Sequence, residues 1–194
     1  MARDTLSGTR VTLTPPHEAD IDRVSELCQD PAVQRWTTVP SPYRRDDAVH
    51  FILEVVPAGW TTGTTLTWAI RLGHGGDLIG MIGLHDIAGR SAEIGYWLAP
   101  EARGGGIMTE AVQLVCDYGF AAGDDGLGLQ RITWHAFAGN IPSATVAQRA
   151  GFTFEGMRRL GAVQRGHRLD DWSASLLRED PRLPVPGWPM ETLA

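Results

Sequence analysis

The segment 103–109, Arg-Gly-Gly-Gly-Ile-Met-Thr, carries three consecutive glycines where a helical pattern begins. Glycine runs cost backbone entropy on folding, so they persist where side chains would be in the way. At a loop-to-helix junction, the free N–H groups of the first turn and the helix dipole favour an anion. The chemistry to expect is the seating of a phosphate or pyrophosphate against bare backbone. Other reactive types stand elsewhere. His85 and His135 carry imidazoles whose ordinary pKa lies near neutrality, each alone beside a strand pattern, where a structural role is the alternative. Glu93, Asp170 and Asp171 are carboxylates on strand patterns. They suit proton transfer or attraction of a cationic amine, or equally pairing within the sheet.

Composition narrows the anion. All 17 basic residues are arginine, which excludes a Walker-type phosphate loop and a Schiff-base lysine. A dinucleotide fingerprint begun at Gly104 needs glycine at position 109, where Thr109 stands. That fingerprint also belongs to the first unit of a doubly wound sheet. The net charge of −6, with scattered charges, leaves no electrostatic footprint for nucleic acid. Cys28 and Cys116 cannot build a disulfide framework and lack metal-ligand spacing, which points to a reducing compartment and no metal. Residues 1–10 show no apolar signal core, and no apolar run reaches the roughly 18 residues of a membrane span. The expectation is a cytoplasmic protein without membrane contact: one domain, with its core over about residues 9–180 and an irregular, proline-rich tail at 181–194.

The elements that must position these residues follow from periodicity. Residues 9–16 alternate Val11 and Leu13 with threonines and read as a strand ended by prolines. Ile21, Val24, Leu27 and Cys28 fall at helical spacing. A short helix follows at 32–36, and another carries Ala48, Ile52 and Val55 on one face. Strands at 64–72, 77–87 and 91–99 are joined by connections too short for anything but antiparallel neighbours. The glycine loop closes that meander. Its helix has Ile107, Ala111, Leu114, Val115 and Tyr118 on one face, widened by Met108, Val112 and Cys116. A fifth strand at 129–137 returns parallel to the fourth through that helix. Asn140 and Gly151 bracket a further helix as cap and stop. Strands at 152–160 and 169–177 complete a mixed α/β (α+β) sheet of about seven strands, flanked by helices on both faces.

Residues 93–111, EIGYWLAPEARGGGIMTEA, join a strand, an R-x-x-G turn and a helix. They resemble motif A of the GNAT acyl-CoA N-acyltransferase superfamily, with Arg103, Gly106 and Ile107 on its pattern. Met108 stands where glycine or alanine is usual, as in the RimJ/RimL-like branch. Residues 139–156, GNIPSATVAQRAGFTFEG, are similar to that branch's N-x-x-S segment. Residues 35–52 and 170–180 resemble its N-terminal helical region and its last strand.

The resemblance implies a GNAT fold in which the fourth and fifth strands splay into a cleft for acetyl-CoA. Pantetheine would pair with Ile94, Tyr96, Trp97 and Leu98, and pyrophosphate would rest on Arg103, Gly104, Gly105, Gly106, Ile107, Met108 and Thr109. Asn140 would lie near pantetheine and Ser143 would serve the departing thiolate, their alternative being cap and first-turn residue. The branch's acidic residue after the GF…EG segment has no counterpart in LGAVQRG (160–166), so Glu93 on the fourth strand is the substitute base. Trp36 and Tyr43, in an entry loop, together with His85, His135 and Asp170, are the candidates for the acceptor side. The implied reaction is acetyl transfer to a primary amine by direct attack: a protein N-terminal α-amine, or a small-molecule amine. Deprotonation at pH 7 costs about 1.4 kcal/mol for an α-amine but more than about 4 kcal/mol for a lysine, which favours the former where no strong base is evident. Two alternatives stay open: a longer acyl group such as succinyl, met by Arg44, Arg45 or Arg168, and a non-catalytic acyl-CoA-binding module. A homodimer is compatible with either.

Overall fold

The computed structural model describes residues 5–73 and 75–188; residues 1–4, His74 and residues 189–194, with that part of the expected tail, lie outside the described residues. Strands β1 (Leu6–Ser7), β2 (Val11–Thr14), β3 (Leu66–Leu72), β4 (Leu78–Ala88), β5 (Ser91–Leu98), β6 (Arg131–Phe137), β7 (Thr153–Gln164) and β8 (His167–Leu177) form one sheet in the order β1-β2-β3-β4-β5-β6-β8-β7. Every neighbour is antiparallel except β5 and β6, which run parallel. The strand beyond the seven expected is β1. It pairs only Leu6 with Leu13 and Ser7 with Thr12, too short for any alternation to betray it. The last hairpin is longer than its pattern: β7 continues to Gln164 across a register shift between Arg158 and Ala162.

Helices cover both faces because both faces of the central strands are apolar. Trp68, Ile70, Ile82, Leu84, Ile94 and Ile132 are buried against Ala111, Val112 and Val115 of α5 (Ile107–Phe120) and against Ala144 and Ala147 of α6 (Ile141–Arg149). On the other face Ala69 and Met81 meet Val24 and Leu27 of α1 (Ile21–Leu27), Val33 of α2 (Pro31–Trp36) and Ala48 of α3 (Arg45–His50). The alternation of Trp68, Ala69 and Ile70 between the two clusters is the period of two that a strand imposes. Each fully buried Ile or Leu contributes about 1.5–3 kcal/mol. A π turn at Phe51–Val55 joins α3 to α4 (Val56–Thr62). The wider turn stands just ahead of Pro57, whose ring supplies no N–H to the helical ladder.

Two features position the site. First, the parallel ladder has four rungs, from Ser91↔Arg131 to Ile94↔Trp134. Past that point β5 keeps only β4, as far as Leu98, and β6 keeps only β8, as far as Phe137. The inner edges of both strands are left without a partner strand, so a slot with unpaired backbone groups opens in the sheet. Second, the tail is not an appendage. Trp188 is 4% exposed, its ring packs 5.7 Å from Trp134 and 5.3 Å from Phe154, and its Nε1 donates to Phe152 O at 3.1 Å. The core therefore runs to residue 188 rather than about 180. The sequence shows no regular element there because one side chain, not a periodic face, is what docks.

Candidate active site

A cavity of about 460 Å³ occupies the slot, bounded by the glycine loop, the free edge of β5, α6 and α2. Gly104 and Gly106 have φ of +82° and +75°, a region that side chains rarely adopt. No side chain caps α5 at Gly106, and the first N–H to rejoin the helical ladder is that of Glu110, onto Gly106 O at 3.2 Å. The N–H groups ahead of it are left for a ligand. Arg10 braces the loop from behind: its Nη1 and Nη2 donate to Gly105 O and Gly106 O at 2.6 and 3.1 Å, and its Nε to Glu110 Oε2 at 2.7 Å. With the carbonyls drawn toward Arg10, the loop offers donors to the cavity. Burial works against the Glu110 carboxylate, but bonds from Arg10 and Thr9 hold it below the usual range. These residues fit a pyrophosphate held by backbone alone.

Helix α2 forms the opposite wall through Ala32, Val33 and Trp36, and both of its ends are tied down. Asp30, its N-cap, accepts from Val33 N at 3.0 Å and from Arg103 Nη2 at 2.8 Å, while Arg103 Nε donates to Leu98 O. Burial opposes ionisation of Asp30; Arg103 and the helix N–H groups outweigh it and depress its pKa. The Arg103 side chain is thus a clasp between the glycine loop and α2, and it also lines the cavity. At the other end the tip of the β7–β8 hairpin reaches over. Gln164 Nε2 donates to Arg35 O at 2.9 Å and Thr37 O at 2.7 Å, and Arg165 Nη2 to Gln34 O at 2.8 Å.

At the vertex of the slot, Ser143 sits in a network on the α5/α6 face. Its Oγ accepts from Trp134 Nε1 at 3.1 Å and donates to the Tyr96 hydroxyl at 3.2 Å, while that hydroxyl donates to Ser143 O at 2.9 Å. Burial pushes the Tyr96 phenol well up, against the opposing bonds from Ser143 and Trp134, so it acts as a neutral donor. Asn140 is the cap of α6, accepting from Ser143 N at 3.3 Å, and it also lines the cavity.

The opposite face of the sheet, beside the last rungs of the parallel ladder, holds Glu93, His85 and His135, which the sequence offered only singly; none of the three lines either cavity. Register does this: His85 lies across from Glu93 on β4, and His135 is two residues beyond Thr133, the β6 partner of Glu93. His135 Nδ1 and Glu93 Oε2 are 2.8 Å apart, with side-chain exposures of 19% and 39%. The His85 ring lies over the facing pair Gly83 and Gly95, where an added Cβ would come within 3.2 and 3.3 Å of its Nε2. Burial lowers the His85 pKa, although Glu93 and Asp86 pull the other way, so its imidazole is neutral near pH 7.

Other candidates stand apart. Ile94 is the last paired rung, with its side chain in the core; the free edge begins after it. Gly105 turns its carbonyl to Arg10 and does not line the cavity. Tyr43 is buried in a second cavity of about 290 Å³ beside Cys28 and Asp47, which shares Trp97 with the first. Asp170 accepts from Leu160 N at 2.7 Å at the hairpin shift, and Asp171 is buried against Arg158; both serve the hairpin. Arg45 pairs with Asp22, Arg168 donates to Leu160 O, and neither these nor Arg44 lines either cavity. Sequence reasoning missed Arg10, Asp30, Glu110 and Gln164. Their partners lie up to 130 residues away, and no local pattern marks such pairs. Among the described residues no helix is long and apolar enough to cross a membrane.

Comparison with known proteins agrees with this geometry. The family model described as "Acetyltransferase (GNAT) domain" matches residues 10–153. The chain is 37% identical over 167 residues to the "Uncharacterized N-acetyltransferase YoaA" of Bacillus subtilis, covering 85% of this chain and 92% of that one. It is 39% identical over 109 residues to the "Putative ribosomal N-acetyltransferase YdaF" of the same organism, a match spanning 55% of this chain and 57% of YdaF. Among solved structures, Mycobacterium smegmatis RimJ in complex with CoA-disulfide superposes with a TM-score of 0.80 at 24% identity, over 91% of this chain and 88% of that one, which speaks for the fold alone. With the splayed parallel pair, the glycine-led α5 and the matched domain in agreement, the chain belongs to the GNAT acetyltransferase family.

Proposed function

We propose that the protein transfers the acetyl group of acetyl-CoA to a primary amine, in a ternary complex and by direct attack of the amine on the thioester. The observation that carries this reading is the uncapped, glycine-lined N-terminus of α5 opening directly onto the unpaired edge of β5. The first supplies donors for a pyrophosphate, and the second supplies backbone groups for the amides of pantetheine. The thioester then comes to the vertex, where Asn140 and Ser143 serve the leaving sulfur and Glu93 belongs to the proton-accepting side. Acetyl is favoured as the acyl group because the matching family is one of acetyltransferases, and Arg44, Arg45 and Arg168 line neither cavity.

For the acceptor, the name of the relative "Putative ribosomal N-acetyltransferase YdaF" supports a ribosomal protein, and the lower pKa of an α-amine favours a protein N-terminus over a lysine. A small-molecule amine uses the same chemistry. Thermal-shift measurements with acetyl-CoA, succinyl-CoA and CoA, followed by an amine panel of N-terminal peptides, lysine peptides, polyamines and aminoglycosides, test the reading. Stabilisation by acetyl-CoA with turnover of an α-amine is expected. Binding without turnover of any amine would establish an acyl-CoA-binding module instead, and preference for succinyl-CoA would overturn the acetyl assignment.

A further inference from the structure

We infer that His135 Nε2 is the atom that takes the proton from the attacking amine, with Glu93 as its positioning residue; this rests on the transferase reading above. A carboxylate only accepts hydrogen bonds, so the 2.8 Å contact with Glu93 Oε2 requires the hydrogen on His135 Nδ1. The neutral imidazole then presents its lone pair at Nε2, which hydrogen-bonds to no described residue. Carboxylate, oriented imidazole and free Nε2 form the arrangement by which an acidic residue fixes a histidine base in one tautomer. Imidazole is also the better match for the task, since its ordinary pKa of about 6.5 lies nearer neutral pH than that of a carboxylate.

The placement is what makes the assignment specific. Trp134 is the last residue of β6 paired with β5 and holds Ser143 on one face of the sheet. His135 is the next residue, so it stands on the other face at the same vertex. Ser143 and His135 therefore flank the end of the slot from opposite sides. Around His135 stand Glu93 on β5, Ser173 across from it on β8, and Glu155 on β7, the last bonded to Arg131 and Ser175, while His85 on β4 lies across from Glu93.

The step balances. The nitrogen lone pair of a neutral amine attacks the thioester carbon, the N–C bond forms, and the C–S bond breaks with its electron pair leaving on sulfur. One amine proton passes to His135 Nε2, and the thiolate takes the Ser143 hydroxyl proton. Solvent later removes the former and replaces the latter, so amine and thioester become amide and thiol.

The test uses the whole chain. Imidazole ¹⁵N spectra of the wild type should show His135 as the Nδ1–H tautomer, lost in Glu93→Ala. Steady-state rates with the best amine of the panel should show kcat falling by about 10²–10⁴ in His135→Gln, with acetyl-CoA affinity by calorimetry unchanged. Glu93→Ala should lose about tenfold or more. In His135→Gln the acidic limb of kcat/KM should retain only the acceptor's own ionisation, and added imidazole should partly restore His135→Ala. Retained acetyl-CoA binding certifies the fold of each variant. His135→Gln with wild-type kcat and pH profile overturns the inference, as does an Nε2–H tautomer in the wild type. A wild type that binds acetyl-CoA and acylates no amine overturns the transferase reading itself, and the catalytic role with it.

Discussion

Ser143 and Tyr96 hold each other twice, Ser143 Oγ donating to the Tyr96 hydroxyl at 3.2 Å and that hydroxyl donating to Ser143 O at 2.9 Å. The serine is thereby locked at the vertex rather than free to rotate. Replacing Ser143 with Ala should lower kcat by about 10²-fold with little change in the KM for acetyl-CoA. It should also cost about 1–3 kcal/mol of stability, because Trp134 Nε1 is left buried without an acceptor. Tyr96→Phe should show a smaller loss of kcat, read in the same steady-state assay.

Arg10 draws the glycine-loop carbonyls away from the cavity. Arg10→Met should raise the Kd for acetyl-CoA about tenfold, equivalent to about 1.4 kcal/mol, while kcat at saturation stays near the wild-type value. Calorimetry with acetyl-CoA checks it. An unchanged Kd would mean that the loop holds its shape without the arginine.

Gln164 fastens the C-terminal end of α2 from the hairpin tip. Gln164→Ala should remove about 1–2 kcal/mol of local stability, at about 0.5–1.5 kcal/mol per hydrogen bond. Hydrogen exchange should accelerate in residues 31–37 and little elsewhere. Uniform acceleration across the sheet would instead mark global destabilisation.

Trp188 supports Trp134, and through it Ser143, from below. Trp188→Ala should cost about 3–5 kcal/mol in urea unfolding and lower kcat as well. An unaltered unfolding midpoint would show that the tail contributes nothing to the core.

His85 gives stability a pH dependence of known sign. Burial lowers its folded pKa below the ordinary 6.5, so between those values the unfolded chain binds the proton and the folded chain does not. Its contribution is complete above about pH 6.5 and declines as pH falls below it. Urea midpoints at about pH 7.5 and pH 5 should differ less in His85→Gln than in the wild type; equal differences would remove His85 as the cause.

Much of this molecule is legible in one dimension. The meander at 64–99 follows from connections too short for a crossover, and the parallel fifth strand follows from the helix between. Asn140 and Gly151 bracket α6 because capping chemistry is local. The glycine run announces an anion seat because only the backbone of residues 104–106 is involved. What was not legible is whatever depends on register and long-range packing. His85, Glu93 and His135 lie on three strands and meet only because of the rungs His85↔Glu93 and Glu93↔Thr133. A slip of one residue would turn any of them to the other face. Arg10 and Gln164 are anonymous until the fold delivers carbonyls about a hundred residues away.

The sequence by itself determined most of the elements and the anion-seating glycine run, because these rest on periodicity, capping and bare backbone, and its motifs carried the family resemblance that implies acyl-CoA. The tertiary structure alone decided which polar residues meet, where the parallel ladder stops after Ile94 and Trp134, and which face of the sheet carries Ser143 and which carries Glu93 and His135. Those relations arise when separate strands are brought into register, and no spacing along the chain encodes them.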